Sequence, residues 1–160
     1  MNFHDRLNRI LELALVFIMA ILVIDVLWQV TSRYLLSSPS SFTDELAGFL
    51  LIWVGLLGAA YVAGRSEHLA IDLLLQKTRP SRQKNLLVVI QVSILLFALT
   101  VMVVGGSYLV YTRFILGVKS AALELPLGYV YIVIPLSGLL IVYYSIYNLT
   151  HIYNKDNITE

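Results

Sequence analysis

Four stretches of this 160-residue chain, 10–32, 46–64, 86–112 and 125–149, contain no Lys or Arg and are overwhelmingly apolar. A helix needs about 20 mostly apolar residues to cross the hydrocarbon core of a bilayer, and each stretch reaches that length within the tolerance that tilt allows. The ten Tyr residues (34, 61, 108, 111, 129, 131, 143, 144, 147 and 153) fall near the segment ends, where amphipathic rings sit at headgroup level. The sequence therefore predicts an all-α, polytopic membrane protein with four transmembrane helices. Residues 1–160 form a single integral-membrane domain.

Composition removes the main alternatives. The chain is 59% hydrophobic and 13% charged, whereas an ordinary soluble domain is about 45–50% apolar and about 25% charged. So little charge cannot cover a small globule, which excludes a soluble enzyme domain. Net charge is +1 and no basic block stands out, so nucleic acid is not an expected partner. Without cysteine, disulfides, thiol nucleophiles and thiolate-held metals are excluded. The first apolar stretch exceeds the about 7–15 residues of a signal-peptide core, and Ser37-Ser38-Pro39-Ser40 offers no small-residue cleavage pattern. It reads as a retained helix.

Basic residues set the expected orientation. Arg6, Arg9, Arg65, Lys77, Arg79, Arg82, Lys84 and Lys155 lie on one side, and Arg33, Arg113 and Lys119 on the other. Eight against three places both termini and the second loop in the cytoplasm. Within that loop, residues 68–76 (HLAIDLLLQ) read either as a short amphipathic helix in the interface or as an extension of helix 2. Pro80 breaks the chain, and Ser81 is a candidate cap for helix 3. No internal repeat of the kind that builds whole transporters is evident.

Ionisable groups inside a membrane are costly and face protein or a water-filled cavity. Asp25, Gln29 and Arg33 follow at i, i+4 and i+8 and form one polar stripe. Asp25 and Arg33 are about 12 Å apart along the axis, so Gln29 is the candidate bridge. Asp25 has two readings: part of an ion or proton path, or a structural acid packed against another helix. A lone intramembrane carboxylate makes a poor relay, which favours the second. Helix 2 opens with Ser41-Phe42-Thr43-Asp44-Glu45, a hydroxyl and acid pattern that suits a helix N-terminus. Across the short loop, Arg33 and Glu45 are expected to pair and tie helices 1 and 2 together. Gly48, Gly55 and Ala59 lie within about 40° on a helical wheel, a groove that permits close helix approach.

The remaining signals are bland. His4, His68 and His151 all lie outside the spans, so no intramembrane pair exists to hold haem, and a haem-anchor subunit is disfavoured. His68 near Glu67 and Asp72 reads as a surface contact before a metal site. No phosphate loop or hydrolase motif occurs, and no metal, cofactor or catalytic group is expected. Pro126 suits the first turn of helix 4, while Pro135 inside the span should kink it and free the Tyr131 carbonyl.

These residues carry a resemblance. Ser41-Phe42-Thr43-Asp44-Glu45-Leu46-Ala47, Leu51-Ile52-Trp53-Val54-Gly55, Leu57-Gly58-Ala59-Ala60, then Glu67-His68 and Asp72, resemble the small, DctQ-like permease subunit of tripartite ATP-independent periplasmic (TRAP) transporters. Ser32-Arg33-Tyr34 and Leu125-Pro126-Leu127-Gly128-Tyr129-Val130-Tyr131 with Pro135 are similar to that family's first and fourth helices. The resemblance implies a multi-pass subunit of the bacterial inner membrane. Its implied partners are a large permease that carries the substrate and sodium sites, and a periplasmic substrate-binding protein. The substrate would be an organic acid such as sialic acid or a C4-dicarboxylate, and the small subunit would act as a scaffold amid membrane lipids. Arg33, Glu45, Trp53, Gly58, Ala59, His68 and Asp72 match motif positions, whereas Asp25 matches none. The competing reading is a self-sufficient homo-oligomeric channel or carrier with Asp25 as its working acid.

Overall fold

A computed structural model describes residues 3–35, 40–65 and 80–154. Its elements are α1 (Phe3–Tyr34), α2 (Ser41–Arg65), α3 (Pro80–Phe97), a π-helical segment (Ala98–Gly105), α4 (Gly106–Ile115), α5 (Leu127–Tyr131) and α6 (Val133–Asn154). They make four rods long and apolar enough to span a membrane: α1, α2, α3 with the π-helical segment and α4, and α5 with α6. Among the described residues there is no strand, only one isolated antiparallel bridge between Lys119 and Pro126. The predicted helix or extension at 68–76, with His68 and Asp72, lies outside the described residues.

Charges at the helix ends follow the dipole. α1 has Asp5 in its first turn and Arg33 in its last, and α2 has Asp44 and Arg65 in the same places. The cap of α2 is Ser40, whose carbonyl accepts from the Asp44 amide (3.3 Å) and the Thr43 hydroxyl (3.0 Å). In a lipid environment, hydroxyls must find partners within the protein. Thr31, Ser93, Thr100 and Thr112 do so by donating to the carbonyl four residues back on their own helices. These side chains therefore call for no polar partner outside the chain.

Two expectations about helix ends shift. α3 begins at Pro80 itself, so Ser81 lies inside the first turn instead of capping it. Proline is tolerated there because a first-turn amide has no intrahelical acceptor. Pro126 stands just before α5, at the cap position. The predicted kink is present: the fourth rod breaks at Ile132, three residues ahead of Pro135, which has no amide to give Tyr131. No pattern in the sequence predicts the π-helical segment, where the Gly106 amide reaches the Val101 carbonyl five residues back.

The rods pack in the order α1, α2, α6, then α3 with the π-helical segment, so each touches mainly its neighbours in that row. Without a hydrophobic drive between helices in lipid, small residues allow the close contacts. Ala60, Ala98 and Ser137 are fully buried at these seams. A Cβ at Gly138 would lie 2.7 Å from Met102 Cβ, so only glycine lets α6 approach the π-helical segment this closely. On one face, α2 and α3 flank a groove of about 440 Å³ lined by Leu56, Ala59, Ile94, Phe97, Met102 and Ile141.

Candidate functional site

The most ordered polar arrangement sits where α2 begins. The Glu45 carboxylate accepts three backbone amides of the α4–α5 loop: Ala121 (3.0 Å), Ala122 (2.7 Å) and Leu123 (2.9 Å). The loop is shaped to present them. Gly117 has φ +59° and Glu124 φ 53°, both left-handed. Between them, the Ser120 amide donates to the Leu125 carbonyl (2.8 Å) and the Leu127 amide to the Val118 carbonyl (2.9 Å). Three consecutive amides left pointing inward need an acceptor, and Glu45 supplies it.

This arrangement replaces the expected Arg33–Glu45 pair. Arg33 makes no ion pair among the described residues, and the tie between α1 and α2 is instead Gln29 Nε2 donating to Asp44 Oδ1 at 2.7 Å. The reason is angular. Successive residues on an α-helix point about 100° apart, so Asp44 faces α1 while Glu45 turns toward the loop. Gln29 is thereby taken up by Asp44 and does not bridge Asp25 to Arg33.

Asp25 lies one turn below Gln29 on the same face of α1. It is only 7% exposed, and its Oδ2 has no hydrogen-bond partner among the described residues. No group of three or more potential metal-holding side chains occurs among the described residues.

The small residues of α2 divide into two sets. Ala60, Ala63 and Gly64 are buried against the rest of the chain. Gly48, Gly55 and Gly58 have nothing within 4 Å of where a Cβ would project, and Ala59 is exposed on the rim of the apolar groove. Trp53 turns inward and donates its indole N–H to the Val130 carbonyl at 3.1 Å, tying α2 to α5.

At the opposite end lies a knot that sequence reasoning missed. The Tyr144 hydroxyl donates to Asn8 Oδ1 (2.6 Å), Asn148 Nδ2 donates to the Ala63 carbonyl (3.3 Å), and His4 stacks on Tyr147 at 4.5 Å. Tyr144 is fully buried instead of joining the interfacial tyrosines. The available signal was the i, i+4 spacing of His4 and Asn8 together with Tyr144, Tyr147 and Asn148 on one face of the last helix.

Four apolar rods long enough to cross a membrane, a polar knot at one end, a carboxylate-held loop at the other and an open glycine face define an all-α protein of the multi-pass membrane class. The sequence comparisons agree. The chain matches the family described as "Tripartite ATP-independent periplasmic transporters, DctQ component" over residues 19–154, and it belongs to that family. It is 29% identical over 133 residues to the sialic acid TRAP transporter small permease protein SiaQ of Vibrio cholerae, covering 79% of this chain and 77% of the relative. It is 28% identical over 137 residues to a TRAP transporter small permease protein of Haemophilus influenzae, covering 84% and 82% respectively. The chain is thus a small permease component of a TRAP transporter, and the family is a transporter component, not an enzyme.

Proposed function

We propose that this subunit is a scaffold in the bacterial inner membrane, with both termini in the cytoplasm, holding a large permease that performs sodium-coupled uptake fed by a periplasmic substrate-binding protein. The observation that carries the reading is the open face of α2, where a Cβ at Gly48, Gly55 or Gly58 would meet nothing within 4 Å among the described residues. Such a strip admits the backbone of a neighbouring helix, and the large permease supplies one. The loop locked by Glu45 would then lie on the periplasmic side, where the binding protein docks. Arg33, Glu45, Gly48, Trp53, Gly55, Gly58, Ala59, His68 and Asp72 are proposed as structural or interface residues. The substrate class is an organic acid. The similarity to a sialic acid TRAP small permease favours sialic acid over a C4-dicarboxylate.

The test is affinity purification of the tagged chain from native membranes in mild detergent, followed by mass spectrometry. A stoichiometric large hydrophobic partner is expected, together with no uptake by vesicles holding this chain alone. A homo-oligomer without a companion, or uptake by the chain alone, would overturn the scaffold. The free oxygen of Asp25 is the one observation favouring a self-sufficient channel or carrier. In that case Asp25→Asn should abolish transport while assembly survives.

A further inference from the structure

On the far side of the row from α2, a second groove of about 580 Å³ runs along the π-helical segment and α4. Its wall is apolar, formed by Val101, Gly105, Tyr108, Leu109 and Ile134, and Arg113 stands at one end. Gly105 keeps the trough open, since a Cβ there would meet only the Thr100 carbonyl at 3.6 Å. The guanidinium of Arg113 is steadied over the Tyr131 ring, 5.9 Å from its centroid. Its Nε is buried without a hydrogen-bond acceptor among the described residues. A guanidinium is always charged and is built to donate to carboxylate or phosphate oxygens. Among the described residues no carboxylate pairs with Arg113, so the site presents a cation at the head of an apolar channel.

The dimensions indicate which anion. Arg113 lies two residues from the end of α4 at Ile115, where the third membrane-length rod ends. From Arg113 to Val101 the helix descends about 18 Å, comparable to the roughly 15 Å depth of one leaflet's hydrocarbon. A small inorganic anion would satisfy Arg113 but leave the trough below it empty. A phospholipid satisfies both, with its phosphate on the guanidinium and one acyl chain along Gly105 and Leu109. We infer that this groove is a phospholipid site, in the leaflet on the side of the α1–α2 turn, with Arg113 as the phosphate-binding residue and Gly105 as the residue that keeps the acyl channel clear.

The test uses the full-length chain, with any companion it carries, in phosphatidylcholine vesicles doped with a phosphatidylglycerol that bears a diazirine near the end of one acyl chain. After illumination, labelled peptides are mapped by mass spectrometry. Wild-type chain should be labelled within residues 99–109. Arg113→Gln should lower that labelling at least about fivefold, Arg113→Lys should lower it less, and Gly105→Leu should abolish it with Arg113 still in place. Circular dichroism of each variant reports whether the helices persist. Absence of labelling in wild type, or labelling equal in wild type, Arg113→Gln and Gly105→Leu, would overturn the site. So would a photo-crosslinker placed at position 109 that captures a polypeptide in native membranes instead of a phospholipid.

Discussion

Two sets of glycines divide this small protein into an inner and an outer surface. At the seams of α6, glycine is a spacer: a Cβ at Gly138 would strike Met102, at Gly106 it would strike Ile134 and at Gly64 the Tyr144 ring, each within 2.8 Å. On α2, Gly48, Gly55 and Gly58 would accept a Cβ freely. The two regions share a residue type but not a purpose. The closed glycines bring the chain's own helices together, whereas the open ones leave a smooth strip against which no described residue would meet a Cβ. The same contrast separates the fourth rod, α5 with α6, whose most apolar stretch is 39% buried, from α1, where the share is 11%. α6 is the core of the subunit, and α1 presents most of its side chains outward.

The strongest way to break this contrast is to overfill a closed seam. Gly138→Leu should destabilise the chain by about 1–3 kcal/mol, a typical overpacking cost, lowering the melting midpoint in detergent by several degrees. A midpoint unchanged from wild type would show that the α6 seam is not closed. Tyr144→Phe sharpens the inner side of the comparison. It removes one buried hydrogen bond, to Asn8, and leaves Oδ1 short of a donor, so a loss of about 1 kcal/mol is expected in the same melting experiment.

Smaller effects lie at the rim. Glu45→Gln should raise hydrogen exchange at the Ala121, Ala122 and Leu123 amides by about tenfold, because a carboxamide offers one acceptor oxygen where the carboxylate offers two. Arg33→Gln should leave those amides unchanged. Equal effects from both would restore the Arg33–Glu45 pair. The smallest effect on the isolated chain belongs to Gly58→Leu, expected within about 0.5 kcal/mol of wild type. The same variant should sharply reduce recovery of the large permease from native membranes. If it instead destabilised the chain as much as Gly138→Leu does, the open face would not be open.

Much of this architecture could be read without coordinates. The four spans followed from the absence of Lys and Arg, the break in the fourth rod from Pro135, and the family from the run between Ser41 and Asp72. What could not be read were choices between partners of similar chemistry. Arg33 and Glu45 are complementary and close in sequence, yet Glu45 takes three uncharged amides from a loop more than seventy residues away. Tyr144 looked like its interfacial neighbours until α1 and α2 closed over it. The π-helical segment has no periodicity that would distinguish it, since every residue of Ala98–Gly105 but Thr100 is apolar.

The sequence by itself determined that this chain forms four helices long and apolar enough to cross a membrane, and to which transporter family it belongs. Those properties depend on transfer free energies summed over about twenty residues and on motifs that stay legible in one dimension. Tertiary structure alone decided which glycines are spent inside and which remain outside, which acceptor the loop amides find, and that Arg113 stands at the end of an apolar trough. Each of these depends on the angular setting of one helix against another. A 100° step between neighbouring residues sends adjacent side chains to different partners, and composition carries no record of which way each one turns.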